Sequence, residues 1–380
     1  MKIWLPVFFL VTLSAFAQKT SVNPYTSVDT KALQIPDSLT TTPDGIAEYI
    51  NLNFKTDKER VRAIFIWIAT NIEYDFDNLF AINLYEKEED KILLPLKTRK
   101  GICENYAALF CHLCTKTGIR SYRISGYTKQ NGFVDYIPHS WAAALIENNW
   151  YLFDPTWGSG YVSNDKFYKR IDNTYFYVTP SVLIKSHIPF DPLWQFLNYP
   201  ITNQEFYEGK ITANTSKPLF NYSDSIQVYE KQGIIEQLQA TAYRIQKNGV
   251  KNAMIVNMIH YLKGEVENEK GQIYNKAGAD FNEAVKNYNV FINYRNKQFN
   301  PPKADIEIKV MLDTTEASLQ EAKYKLNTIN SPNVELQNLI NLLNKQITEL
   351  ADQTKEQQNW LQDYFRKGKL GRRLHFSMGK

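Results

Sequence analysis

Gly101-Ile102-Cys103-Glu104-Asn105-Tyr106-Ala107 is the stretch whose reading decides the fold. From it Cys103, Ala107, Phe110, Cys111 and Cys114 recur at i, i+4, i+7, i+8 and i+11, which predicts a helix that begins at Cys103 and ends at Gly118. A thiol in the first helical turn lies at the positive end of the helix dipole, with Arg99 and Lys100 close by, surroundings that favour a nucleophilic sulfur. Working outward, Ile119 to Tyr127, His139 to Glu147 and Asn149 to Asp154 read as strands, the last two joined by a turn at Asn148-Asn149. The order of helix, helix and antiparallel sheet predicts an α+β fold in which the Cys-bearing helix packs on the sheet.

His139, one of five histidines, opens the second of these strands, and Asp154 closes the third ahead of Pro155-Thr156-Trp157. The two-residue period puts both on one face of the hairpin. With the turn at Asn148-Asn149, Asp154 falls opposite Ala143, four residues from His139 and roughly 13 Å away at ~3.3 Å per residue, so a bulge, a longer loop or twist has to close the gap. Once it closes, Cys103 is the nucleophile, His139 its proton acceptor and ion-pair partner, and Asp154 the group that orients the imidazole. The backbone N–H of Cys103 is one oxyanion donor, because helix-start amides lack intrahelical partners, and Trp67, Asn71 and Tyr74 are candidates for the second. Glu104 and Trp141 are candidates to line a substrate groove. Cys111 and Cys114 flank His112, but mid-helix spacing without a second ligand pair reads as packing, so no metal or cofactor is expected.

The set Gly101-Ile102-Cys103-Glu104-Asn105-Tyr106-Ala107, Gly118-Ile119, Gly126-Tyr127, His139-Ser140-Trp141 and Trp150-Tyr151-x-x-Asp154-Pro155-Thr156-Trp157 resembles the core of the transglutaminase-like superfamily. Upstream, Trp67-x-x-x-Asn71-Ile72-x-Tyr74-Asp75 resembles the lead-in of its bacterial and kyphoscoliosis-peptidase-type members. The resemblance covers roughly residues 40–200. It implies a papain-like fold with a Cys-His-Asp triad at Cys103, His139 and Asp154, and a hairpin that supplies the closure the ideal register lacks. Members of the superfamily crosslink proteins, cleave peptides or amides, or serve as scaffolds. The resemblance alone therefore leaves the reaction open.

Before Cys103, Thr42-Pro43 starts a helix carrying Ile46 and Ile50, and the capping box Thr56-Asp57-Lys58-Glu59 starts a largely buried one through Val61, Ile64, Phe65, Ile68 and Ile72. Residues 18–40 read as a polar lead-in, and Tyr74 to Lys100 as a long loop with a short acidic insert at Glu86 to Asp90. These elements predict a catalytic domain over 41–200 and a mixed or β connecting segment over 201–232. An all-α bundle or helical-hairpin domain follows over 233–365, then a frayed basic tail over 366–380. The helical part is expected to break near Lys247-Asn248-Gly249, Asn300-Pro301-Pro302 and Ser331-Pro332. Leu336, Leu339, Ile340, Leu343, Ile347 and Leu350 form a narrow seam suited to a bundle or a partner helix.

A chain of 380 residues has room for such a division, and 44 basic against 40 acidic residues is too balanced for a dedicated nucleic-acid binder. Residues 1–17, with Lys2, an apolar run and Ala15-Phe16-Ala17, read as a signal peptide too short to span a membrane. The mature chain is then expected to be exported, periplasmic or secreted, with no membrane span. Three cysteines within twelve residues leave at least one thiol unpaired there. The function expected is a cysteine peptidase, amidase or acyl transferase acting on protein or peptide, cell-wall peptide included, with the C-terminal helices free to take a protein partner. The competing readings are a non-enzymatic interaction module and a crosslinking transglutaminase.

Overall fold

The computed structural model describes residues 23–80 and 82–376. The expected signal peptide and the last four residues of the basic tail lie outside them. The chain divides into two compact units: one runs to Thr128 and resumes over Ile137–His187, and the other comprises Lys129–Tyr136 and the chain from Ile188.

The first unit opens with α1 (Thr26–Ala32), α2 (Pro43–Asn53) and α3 (Asp57–Asn71). The Thr42 hydroxyl accepts from the Gly45 N–H, and Thr56 and Glu59 cap α3 reciprocally, so both helices start where their capping residues stand. α1 falls in the stretch read as an unstructured lead-in. What holds it is tertiary: Asp29 takes a bidentate ion pair from Arg62 on α3, at 2.6 and 2.7 Å, and Arg62 is 1% exposed. A helix of seven residues would not persist on its own propensity.

The expected loop before the central helix contains β1 (Glu73–Tyr74), then α4 (Glu88–Thr98) and β2 (Lys100–Gly101), which runs parallel to β1 and sets Tyr74 beside Gly101. α4 is longer than the acidic insert suggested, because Lys91, Ile92 and Leu96 bury one side of it. α5 (Cys103–Lys116) follows. It buries every residue from Cys103 to Phe110, so its first two turns are enclosed on all sides, while Thr115 and Lys116 in its last turn are exposed.

β3 (Ser121–Gln130), β4 (Phe133–Ile146) and β5 (Asn149–Phe153) form a sheet of order β5-β4-β3-β8, counting the edge strand β8 (His187–Pro189). A second hairpin, β6 (Gly160–Ser163) and β7 (Lys166–Lys169), and the short helix α6 (Pro180–Leu183) lie between β5 and β8 in the chain. The turn joining β4 to β5 is Glu147-Asn148, with φ of 51° and 63°, and not Asn148-Asn149. That one-residue change moves the pairing by two: Ala142 faces Phe153 and Ile146 faces Asn149, so Asp154 comes opposite Trp141 and two residues from His139.

The second unit is helical, through α7 (Asn203–Glu208), α8 (Tyr222–Lys231), α9 (Ile234–Lys247), α10 (Ala253–Asn296), α11 (Asp305–Asn327), α12 (Val334–Phe365) and α13 (Lys369–His375). The helices break where glycine and proline predicted. Residues 201–232, read as a mixed or β connecting segment, hold α7 and α8 and no strand. The α12 seam is used inside this unit: Ile340, Leu343, Ile347 and Leu350 pack with Ala277, Ala284, Leu319 and Ala322 of α10 and α11, while Leu339 stays 40% exposed. The basic tail is folded as far as Phe376. Arg372 pairs with Asp305 at 2.6 and 2.8 Å, and His375 stacks on Trp360 with ring centroids 4.7 Å apart. Among the described residues no helix is long and apolar enough to cross a membrane.

Arg62 is buried, with Asp29 as its ion-pair partner and the Asn173 side chain and aromatic rings packed on it, so losing the carboxylate strands a charge. Asp29→Ala is expected to cost the chain about 3–5 kcal/mol, read as a lower urea midpoint for the transition that follows the first unit.

Candidate functional site

α5 starts at Cys103 because Ile102 is extended and the Asn105 side chain accepts from its N–H at 2.9 Å. Asn105 makes a second bond, donating to the carbonyl of Lys91 at 3.1 Å. That carbonyl is vacant for a reason legible in the chain: its helical partner four residues on is Pro95, which has no N–H to give. Lys91 also places its ammonium 3.1 Å from Glu104, whose other oxygen lies 3.7 Å from Arg123. A side chain on Gly101 would sit 2.8 Å from the Asn105 Cβ, so this close approach requires glycine. The first turn of α5 is thereby clamped to α4 twice, through the carbonyl and the ammonium of Lys91.

Cys103 is 3% exposed, and the amides at the head of its helix have no carbonyl four residues back to bond. His139 comes from β4 and Asp154 from the end of β5, with His139 Nε2 2.7 Å from Asp154 Oδ2. Burial disfavours a charged ring at His139. The carboxylate of Asp154 and the neighbouring Cys103 outweigh it and push the ring up to about 10. Asp154 is wholly buried, and burial alone would raise its carboxyl above the usual range. Instead His139 and then His187 hold it well below the usual carboxylate range. Its other oxygen accepts from the backbone N–H groups of Thr156 at 2.9 Å and Trp157 at 3.0 Å. Gly158 permits this turn, since a Cβ there would meet the Phe65 ring at 2.3 Å.

His187, on β8, is the residue that sequence reasoning missed. Its Nε2 is 3.0 Å from the same Asp154 Oδ2, its Nδ1 is 2.8 Å from the Ser186 hydroxyl, and it is 1% exposed. The only signal available was its rarity and a strand-like Ile188-Pro189-Phe190 beside it. Donor atoms of His139, Asp154 and His187 lie within 4.8 Å of one another. That spacing could hold a metal ion, and Asp154 here joins the two rings by hydrogen bonds.

The other expected site residues fall in different places. Tyr74 is half-buried near the site: burial first, then the charges of Cys103 and Asp154, raise its phenol above the usual range. Asn71 spends its amide on the carbonyl of Trp67 at 2.8 Å, and Trp67 is buried with the Arg99 guanidinium 5.3 Å over its ring. Asn71 keeps a second amide hydrogen and Trp67 its indole N–H, so both stay candidates beside Tyr74. Glu104 and Trp141, read as groove residues, are 3% and 1% exposed. Glu104 is taken up by its cations, and Trp141 stacks on His139 and stands edge-on to His187, with centroids 6.2 and 5.2 Å away. Both are walls behind the site and not part of an open surface.

Cys111 and Cys114, lower on the same helix, are free thiols that burial pushes up, Cys111 to about 12 and Cys114 well above its ordinary value. They have no part in the cluster.

Comparison with known proteins places this geometry. Residues 44–155 match the model of the transglutaminase-like superfamily. Kyphoscoliosis peptidase of Homo sapiens is 35% identical over 185 residues, 46% of this chain and 28% of that protein. Hillarin of Drosophila melanogaster is 26% identical over 216 residues, 51% of this chain and 25% of that one. The chain thus spans about a quarter of the length of the curated relatives it matches. A buried His–Asp pair behind a helix that begins with cysteine, on a helix-then-sheet core that this model matches, makes residues 44–155 the core of a transglutaminase-like domain.

Proposed function

We propose that the first unit is a cysteine-dependent hydrolase or acyl transferase of the peptidase or amidase type. The observation that carries this reading is the imidazole of His139, held by Asp154 at 2.7 Å and acted on by Cys103 from within the same buried cluster. A ring raised to about 10 is charged at neutral pH, so it cannot take a proton from a thiol. In the mechanism proposed, the sulfur of Cys103 is the nucleophile and the His139 imidazolium its partner.

The sulfur attacks the carbonyl carbon of an amide, and the oxyanion is met by the Cys103 N–H and, as second donor, the Tyr74 hydroxyl. The C–N bond breaks as His139 passes its proton to the leaving amine, leaving a thioester on Cys103. The neutral ring next takes a proton from water, whose oxygen releases the acid and restores the thiolate. Asp154 keeps the ring in one tautomer throughout. The substrate class is protein or peptide, cell-wall peptide included. The chain acts after export, and the helices of the second unit serve a protein partner or position the enzyme.

Three thiols on one helix provide an internal control for the test. At pH 6.5, iodoacetamide should modify Cys103 at least ~10-fold faster than Cys111 or Cys114 by peptide mass spectrometry, and His139→Ala should abolish that advantage. Equal rates at all three would sink the catalytic reading. Cys103→Ala should remove peptide or amide hydrolysis altogether. If a supplied primary amine is incorporated in preference to water, the acyl-transfer branch is the correct one.

The pair also makes a signed prediction about stability. Asp154, depressed in the fold, stabilises above its unfolded value of ~3.9 and loses that contribution as pH falls. His139, raised to about 10, stabilises fully below its unfolded value of ~6.5 and loses that contribution as pH climbs through about 10. The gap in unfolding free energy between wild type and Asp154→Asn should therefore be widest between roughly pH 4 and 6.5, at about 3–5 kcal/mol, and narrow on both sides. Urea titrations across that range read it directly.

A further inference from the structure

One carboxylate here serves two imidazoles. Asp154 Oδ2 is 2.7 Å from His139 Nε2 and 3.0 Å from His187 Nε2, while Oδ1 takes two backbone N–H groups. All four acceptor positions of a fully buried anion are filled, and two of them lie on the oxygen that supports His139. His187 cannot turn away. Its far nitrogen is held by Ser186 at 2.8 Å, and its ring stands edge-on to Trp157 and Trp141, with centroids 4.6 and 5.2 Å off. The other titratable groups around Asp154 are Cys103 and Tyr106 on α5, Tyr74 on β1 and Tyr175, and none of them brings a second N–H to Oδ2.

We propose that His187 is a positioning residue that divides the Asp154 carboxylate between two rings, so that His139 releases its proton more readily than it would from a carboxylate of its own. The inference rests on the reading of Cys103, His139 and Asp154 as a catalytic set. Its physical basis is that a donor on Oδ2 interacts more strongly with the carboxylate when His139 is neutral than when His139 is cationic. His187 therefore favours the neutral ring, and a proton on His187 would act in the same direction by repulsion. A catalytic imidazole must give its proton to the amine and take one back from water, and a grip by one desolvated carboxylate alone would hold it too firmly. Ser186 assists in the tautomer that carries the proton on Nε2, where its hydroxyl turns from the Leu183 carbonyl, 3.4 Å away, to donate to Nδ1 and makes the opposite N–H a better donor.

The test is the ring titration of His139 in the full-length chain labelled with carbon-13 histidine, followed by NMR from pH 5 to 11 and assigned by the signal missing in His139→Gln. His187→Phe removes the donor and should raise the His139 midpoint by about half a pH unit or more. His187→Gln can place an amide N–H where Nε2 stood and should leave the midpoint within about 0.2 units of wild type. Ser186→Ala should raise it by a smaller amount. An unchanged or lowered midpoint in His187→Phe overturns the proposal, as does an equal shift in the Phe and Gln variants, which would mark a packing role. If His187→Phe does not fold, Ser186→Ala decides: a raised midpoint supports the proposal and an unmoved one overturns it. Because the midpoint is read without substrate, it is independent of Cys103 alkylation in the wild type, and the two readings can fail separately.

Discussion

The carboxylate of Asp154 is entirely removed from water, and the first unit is arranged around satisfying it. An unpaired buried anion would cost several kcal/mol, so every acceptor site needs a donor of fixed geometry. The donors come from three places in the chain: His139 on β4, the Thr156-Trp157 backbone after β5, and His187 on β8. Each carries a local requirement. The backbone pair needs a tight turn that Gly158 alone allows against Phe65, and His139 needs the register set by the Glu147-Asn148 turn. The edge strand is required because it carries the second imidazole.

The cysteine is fixed by a different device, and a proline starts it. Pro95 frees the Lys91 carbonyl, Asn105 fills it, and the same Asn105 side chain holds the N–H of Ile102 at the head of α5. The buried Lys91 and Glu104 charges reinforce the joint one residue from the sulfur. Backbone vacancy and side-chain cap together decide where the helix begins. That start point leaves the Cys103 amide without an intrahelical partner while placing Cys114 in the core and Cys111 half-buried beside it, where burial pushes both thiols up. One helix therefore carries three cysteines in two chemical situations, separated by distance from its first turn.

Sequence reading succeeds here where the determinants are local. The capping box at Thr56, the glycine stop at Gly118, the existence of β4 and β5 and the breaks between the long helices all follow from neighbours within four or five residues. It errs where a distant group decides. α1 exists through Arg62, 33 residues away from Asp29; α4 extends because its buried side meets α5; and His187 shows its use only beside an aspartate 33 residues earlier. The misplaced hairpin turn has a subtler origin. Asn148-Asn149 is the better turn pair by residue type, yet Glu147 takes the left-handed position, and the Asn149 side chain donates to its carbonyl at 3.0 Å. A turn shifted by one residue changes cross-strand partners by two, which leaves the facing pattern intact and alters only the distance along the strand. The site residues were therefore legible as a set with the correct face, and their separation was not.

The second unit shows the same division between local and distant causes. The narrow α12 seam fits either a neighbouring helix or another chain, and the amino acids along it do not distinguish the two. What distinguishes them is the small residues facing it: Ala277 and Ala284 on α10 and Ala322 on α11 are wholly buried and let the backbones approach. Likewise six basic residues suggest a solvated tail until Asp305 and Trp360 are placed beside Arg372 and His375. A bidentate ion pair and a stacked ring turn a segment of uniform charge into part of the fold. Charge patterning therefore predicts solvation only where no carboxylate and no aromatic face is within reach, a condition that the three-dimensional arrangement alone supplies.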